Sequence, residues 1–269
     1  MSIGIAIAGA VGRMGRRIVA LAAVDSAVHV ASALETAACP SIGQDVGVLA
    51  GIGSIGCPVA AALETKADAL IDFTSPAGTL HWLETCMAAG LPIVIGTTGH
   101  SADQHKAIKA AASKIAVVKA ANMSVGVNVL LRVARLLGQA LDDSYDVEIS
   151  ETHHRFKLDA PSGTAIALKE AVVEGRKSAG RGDSPVVYGR QGHGSERPPG
   201  EIGMHALRLG DTVGEHTVAF GNLGETLTIG HSAHTRDTFA SGAIRAAKWI
   251  VGKPAGLYDM QDVLFGRKD

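Results

Sequence analysis

Ile3-Gly4-Ile5-Ala6-Ile7-Ala8-Gly9-Ala10-Val11-Gly12-Arg13-Met14-Gly15 decides the reading of the first half of the chain. Its first six residues carry no charge, as expected of a strand buried on both faces of a parallel sheet. Glycines then stand at 9, 12 and 15, and Ile18, Val19, Leu21 and Ala22 recur at helical spacing. In such a strand-to-helix turn the first glycine permits the tight turn and the second lets backbone approach a pyrophosphate. The third allows helix and strand to pack closely. The helix start supplies unpaired N–H groups for the anion. Glycine turns also serve plain packing, but the context favours a dinucleotide. Residues 28–34 read as the next strand, and Glu35 closes it about 20 residues past the last glycine, where a carboxylate can accept hydrogen bonds from a ribose diol.

Outward from this turn, strands are expected over 69–74, 92–96 and 115–118, with helices over 79–89 and 103–113. Strand alternating with helix predicts a parallel sheet covered on both faces. Gly96-Thr97-Thr98-Gly99 and Ala120-Ala121-Asn122-Met123-Ser124 fall at the carboxyl ends of strands, the edge where such sheets bind ligands, and are expected to contact a nicotinamide. After about residue 124 the texture changes. Helices are expected over 126–141, 162–175 and 238–251, and a strand over 146–151. Residues 176–200, rich in glycine and proline, read as a long mobile loop of functional kind. Strands over 204–209, 213–220 and 225–231 read as an antiparallel meander.

Composition narrows the function classes. Of 269 residues, 46% are hydrophobic and 19% charged, which suits a chain with a sizeable core. Twenty-five Lys and Arg against 26 Asp and Glu leave no basic excess for a nucleic-acid partner. An aromatic content of 4% removes the stacking platforms of single-strand binders. Cys39, Cys57 and Cys86 make neither a disulfide framework nor a paired metal knuckle. The uncharged stretch from Val46 to Leu63 holds too many glycines for a membrane span. With no leader-like pattern at the amino end, the expectation is a cytoplasmic protein.

Glu151-Thr152-His153-His154-Arg155-Phe156-Lys157-Leu158-Asp159-Ala160-Pro161-Ser162-Gly163-Thr164 is the most informative stretch for chemistry. It runs from a strand end through a loop to a helix start. Ser162 suits an N-cap, and the N–H groups after it can take a carboxylate or phosphate. Two imidazoles and an ammonium just upstream add positive potential and a proton donor near neutral pH. The pattern fits an anionic substrate that is protonated during reaction. A metal reading would draw on His193, His205, His216, His231 and His234, but no HExxH or paired Cys/His spacing occurs. No metal is expected.

Taken together, these motifs resemble the 4-hydroxy-tetrahydrodipicolinate reductase (dihydrodipicolinate reductase) family over nearly the whole chain. The resemblance rests on the glycine turn, Asp72-Phe73-Thr74, Gly96-Thr97-Thr98-Gly99, Asn122-Met123-Ser124-Val125-Gly126-Val127-Asn128 and Gly210-Asp211-Thr212-Val213-Gly214-Glu215-His216. The segment from Glu151 to Thr164 is its most specific part. It implies an α/β chain with a Rossmann-type dinucleotide-binding domain over 1–124, completed by 235–269. An α+β domain over 125–234, with a mostly antiparallel or mixed sheet, would bind substrate and carry subunit association in a cytoplasmic homotetramer. Gly9, Ala10, Val11, Gly12, Arg13 and Met14 would hold the pyrophosphate and Glu35 the adenine ribose. Gly96, Thr97, Thr98, Ala121, Asn122, Met123 and Ser124 would line the nicotinamide side. His153 would be proton donor and acceptor and Lys157 a proton donor, while His154, Gly163 and Thr164 would bind the carboxylates of a small dicarboxylate substrate.

Thr36 stands where some members carry an Arg for NADPH, Ser75 where some carry an Arg, and Phe156 where some carry a His. Glu35 would repel a 2′-phosphate, although Arg13, Arg16 and Arg17 can compensate. NADH is therefore expected to serve at least as well as NADPH. Two other readings compete: another two-domain nicotinamide oxidoreductase such as an amino-acid dehydrogenase, and a non-enzymatic nucleotide-sensing protein. The first would not need the His-His-x-x-Lys segment, and the second would bind NADH without turnover.

Overall fold

A computed structural model describes residues 2–266. The chain runs through β1 (Ile3–Ala8), α1 (Arg13–Ala22), β2 (Val28–Leu34), α2 (Val46–Leu49), β3 (Val59–Ala60), β4 (Ala69–Asp72), α3 (Pro76–Ala89), β5 (Ile93–Ile95), α4 (Ala102–Ala111) and β6 (Ala116–Lys119). It continues through α5 (Val125–Ala140), β7 (Asp146–His153), α6 (Gly163–Ser178), β8 (Val186–Tyr188), β9 (Ile202–Arg208), β10 (Gly214–Asn222) and β11 (Glu225–Ala233). It closes with α7 (Asp237–Ile250), β12 (Gly256–Tyr258) and α8 (Met260–Phe265). Two compact units result: one holds the residues through Val125 and those from Arg236 onward, the other Gly126–Thr235.

The first unit is built on a seven-stranded sheet in the order β12-β6-β5-β4-β1-β2-β3, with every pairing parallel. Alternation along β1 explains its apolar run. Ile5 and Ile7 join one buried cluster with Ile18, Val19, Ala243, Ala247 and Ile250. Ala6 and Ala8 join another with Leu70, Leu83, Ile93, Ile95 and Ile108. Both faces of the strand are thus covered, so a polar residue on either would be buried. The returning segment supplies α7 to the first cluster and β12 to the sheet edge, where Leu257 pairs with Val117.

The second unit has a mixed five-stranded sheet, β11-β10-β7-β9-β8. Leu130 and Ala134 of α5 and Leu168 and Val172 of α6 pack with Val147, Ile149, Ile202, Met204, Val218 and Phe220. Close helix packing needs Gly175, where a Cβ would stand 2.1 Å from the Arg135 carbonyl oxygen. Here the sequence reading needs two corrections. The three late strands do not form an antiparallel meander: β10 and β11 form an antiparallel hairpin and β10 pairs antiparallel with β7, but β9 lies parallel to β7 and to β8. Alternation marks a strand without fixing its direction, which depends on the connection. Nor is 176–200 one open loop. Helix α6 runs on to Ser178, residues 186–188 form β8, and Arg190 and Arg197 tie the remainder to Glu148 and the Val147 carbonyl.

Candidate active site

In the first unit, the turn after β1 is shaped by steric necessity. Gly9 has φ +77°, and a Cβ there would lie 2.5 Å from the Phe73 carbonyl oxygen. A Cβ at Gly15 would lie 2.1 Å from the Gly9 oxygen and 2.6 Å from Ala10 Cα, so α1 rests directly on the turn. Gly12 is the N-cap of α1 and offers no side chain to its N–H groups; no acid stands in the first turn, which begins with exposed Arg13. Ala10 is fully buried and Met14 packs against the core, so these two face the interior and leave backbone to a ligand. Glu35, one residue past β2, accepts a hydrogen bond from the Val11 N–H at 3.0 Å. The acidic partner and the glycine turn therefore meet. A cradle lined by uncapped N–H groups, with a carboxylate at its rim, fits a dinucleotide.

Behind this edge lies Asp72, fully buried at the end of β4. Its carboxylate accepts from Thr74 Oγ1 at 2.6 Å, Thr79 Oγ1 at 2.5 Å and Thr97 Oγ1 at 3.1 Å. Burial pushes its pKa up against the pull of these hydroxyls. Thr97, itself accepting from the Thr74 N–H at 2.9 Å, commits its hydroxyl inward. The Phe73 ring fills the space over Gly96, where a Cβ would stand 2.2 Å from the ring, and Thr98 is exposed. Further along, Asn122 Oδ1 accepts from the Ser124 N–H at 2.9 Å, and the Ser124 and Thr238 hydroxyls lie 3.0 Å apart. The Met123 carbonyl presses on Gly242 of α7, where a Cβ would be 1.8 Å away. Ala121 stays exposed on this braced loop. The sequence marks Asp72 only as part of Asp72-Phe73-Thr74, with no role attached, and does not single out Thr79 or Gly242.

In the second unit, the segment from Glu151 to Thr164 organises around one buried carboxylate. Glu151, 1% exposed, accepts from His153 Nδ1 at 2.5 Å and from the Ser162 N–H at 3.0 Å. Arg208 clasps it with two nitrogens at 3.0 and 3.1 Å. Burial would raise the Glu151 pKa, but Arg208, His153 and the Ser162 N–H outweigh it and hold the carboxyl below its ordinary value. Burial lowers the His153 pKa, and Lys157 and Arg208 reinforce this against the opposing pull of Glu151. With Nδ1 engaged by a carboxylate, Nε2 is the nitrogen left to exchange a proton. Gly214 packs closely against it, since a Cβ there would lie 3.0 Å from Nε2.

His216 stands 5.1 Å from the His153 ring, centroid to centroid. Burial first, then the nearby His153, push its pKa down to about 4. Ser162 Oγ accepts the Ala165 N–H at 3.2 Å as the N-cap of α6 and lies 3.0 Å from His216 Nε2. Gly163 and Thr164 begin α6 in a first turn without an acid, and a Cβ at Gly163 would meet open space. Lys157 Nζ lies 2.9 Å from both Asp159 oxygens. His154 is half-buried beyond the end of β7, its Nδ1 without a partner among the described residues, and Phe156 is 77% exposed. An imidazole, an ammonium and a capped helix start whose first turn holds no acid thus share one segment. Among the described residues no His, Cys, Asp or Glu cluster could hold a metal, and no helix is long and apolar enough to cross a membrane. Arg208 went unread in the sequence; Glu151 shares the inward alternation of Val147 and Ile149, which marks it as a buried acid.

Comparison with known proteins points to one family. Residues 3–123 match the family model described as dihydrodipicolinate reductase, N-terminus, and residues 126–264 the one described as dihydrodipicolinate reductase, C-terminus. The chain is 46% identical over 268 residues to a protein named 4-hydroxy-tetrahydrodipicolinate reductase from Halorhodospira halophila, covering 98% of this chain and 99% of that one. It is similar to the solved structure of a dipicolinate-bound dihydrodipicolinate reductase from Paenisporosarcina sp. TG-14, with a TM-score of 0.77 and 25% identity over 98% of this chain and 100% of that one. An amine dehydrogenase from Mycobacterium smegmatis, 14% identical with a TM-score of 0.67 over 100% and 98% of the two chains, shares the fold alone.

Proposed function

The chain belongs to the dihydrodipicolinate reductase family and reduces 4-hydroxy-tetrahydrodipicolinate to tetrahydrodipicolinate with NAD(P)H; from this premise we propose how its residues divide the work. The substrate loses water to become a conjugated cyclic imine with two carboxylates. A bound nicotinamide supplies the hydride, which adds at the far end of the conjugated system. A proton then goes to the neighbouring carbon, giving the product of a step in lysine and diaminopimelate synthesis.

Gly9 to Met14 receive the pyrophosphate, which meets the first-turn N–H groups of α1 at Arg13 and Met14, and Glu35 takes the ribose diol. Gly96, Thr97, Thr98 and Ala121 to Ser124 line the nicotinamide side. In the second unit, the first-turn N–H groups at Gly163 and Thr164, with His154, take the carboxylates. The Lys157 ammonium faces the charge that develops on the ring and is worth a few kcal/mol there. His153 delivers or relays the proton through Nε2. One observation carries this reading: imidazole, ammonium and a capped helix start without an acid stand together on the family's most specific segment.

Assembly is proposed as a homotetramer and location as the cytoplasm. Helices α5 and α6 pack on one face of the five-stranded sheet, while Glu215, Thr217, Thr228 and Ser232 of the other face remain exposed or half-exposed, which supports association there. Sedimentation tests the tetramer. For the activity, the test is oxidation of NADH, and separately of NADPH, on addition of freshly generated substrate. Substrate-dependent oxidation is expected; binding of either dinucleotide without oxidation would favour a sensing role.

A further inference from the structure

The buried carboxylate beside His153 belongs to a group with no assigned part in the reaction. The two Glu151 oxygens accept from His153 Nδ1, the Ser162 N–H and both Arg208 nitrogens, and the side chain is 1% exposed. Arg208 lies directly across from His153 in the β7–β9 register. Its Nη2 also donates to the Asp159 carbonyl at 2.6 Å and its Nε to the Lys157 carbonyl at 3.3 Å. One ion pair therefore touches the imidazole, the backbone of the lysine loop and the first N–H of the turn that opens α6.

We propose that Glu151, clamped by Arg208, is a positioning residue for the reduction: it fixes His153 with Nδ1 as donor and Nε2 toward substrate, in register with the helix start that receives the carboxylates. A buried carboxylate keeps both oxygens as acceptors only while it is ionised, and the bidentate guanidinium secures that state. An imidazole so held has one tautomer and one ring orientation. The Ser162 N–H bond ties the same carboxylate to the N-cap, so proton donor and anion site move as one piece. The proposal rests on His153 as the proton donor.

The charged and titratable groups facing His153 are Glu151 on β7, Arg208 on β9, His216 on β10 and Lys157 on the loop after β7. Of these only Glu151 pulls its pKa up, so Glu151→Gln lowers it further. As a proton donor His153 must be protonated, and the alkaline limb of kcat then moves to lower pH, by about one unit. Turnover falls about 10- to 100-fold while NADH affinity stays unchanged. Arg208→Lys keeps the charge without the fork and lowers kcat about tenfold, again with NADH affinity intact; it serves as the second variant if Glu151→Gln does not fold. His153→Gln runs alongside. An unmoved limb in folded Glu151→Gln, or full turnover in Arg208→Lys, overturns the positioning role when His153→Gln is impaired. Full turnover in His153→Gln overturns the proton-donor reading itself.

Discussion

Gly15 lies over Gly9 so closely that a Cβ on the first would stand 2.1 Å from the carbonyl oxygen of the second. Helix α1 can reach the turn only because position 15 has no side chain, and the N–H groups offered to a dinucleotide depend on that approach. Gly15→Ala must push α1 and the turn apart. Overpacking of this kind destabilises by about 1–3 kcal/mol. NADH affinity is expected to fall about tenfold or more, read by fluorescence titration beside a thermal melt.

Glu35 and Thr36 carry the prediction on cofactor choice. The Glu35 carboxylate is held beside the glycine turn by the Val11 N–H, where it would meet a 2′-phosphate with like charge, and Thr36 is exposed and uncharged. The kcat/KM for NADH is expected to equal or exceed that for NADPH. Thr36→Arg adds a charge-assisted partner for the phosphate and moves the ratio about tenfold toward NADPH. A hundredfold preference of the unaltered chain for NADPH would contradict this.

Acid stability carries the mark of His216. Its pKa is about 4 in the folded protein against 6.5 ordinarily, because burial disfavours the charged ring. Between those values the unfolded chain binds a proton that the folded one refuses. The stabilisation is therefore whole above pH 6.5 and is lost as pH falls toward 4, a change of about 3 kcal/mol from one site. Denaturant midpoints measured from pH 7 to 4 should fall accordingly. His216→Asn, which does not titrate, flattens that fall; an equally steep decline in the variant would place its origin elsewhere.

Much of this architecture is legible in the residues, and the exceptions have physical causes. β1 and the turn after it are legible because a strand buried on both faces admits almost no polar residue and the tight turn admits little but glycine. Ser162 is legible as a cap since capping is local. Helix α2 is not: it holds Val46–Leu49 among glycines and depends on Asp45, whose carboxylate accepts the N–H groups of Gly47, Val48, Ile55, Gly56 and Cys57. Strand β3, of Val59–Ala60, is too short to show a period. The direction of β9 follows from its connection rather than its pattern, and that direction brings Arg208 to His153 and Glu151. Asp72 gathers hydroxyls from residues 74, 79 and 97, a network that only the sheet assembles.

Lys157 offers the most direct test of the account. Its ammonium is held by Asp159 at 2.9 Å in the second unit, and its proposed part is in the reaction and not in holding the dinucleotide. The measurement is substrate-dependent NADH oxidation by Lys157→Ala and the unaltered chain, with the NADH dissociation constant taken for both. The account predicts ready turnover by the unaltered chain and a loss of about 100-fold or more in the variant at unchanged NADH affinity. Equal losses of turnover and NADH affinity would make Lys157 structural, and no turnover by the unaltered chain would contradict the assignment of the site.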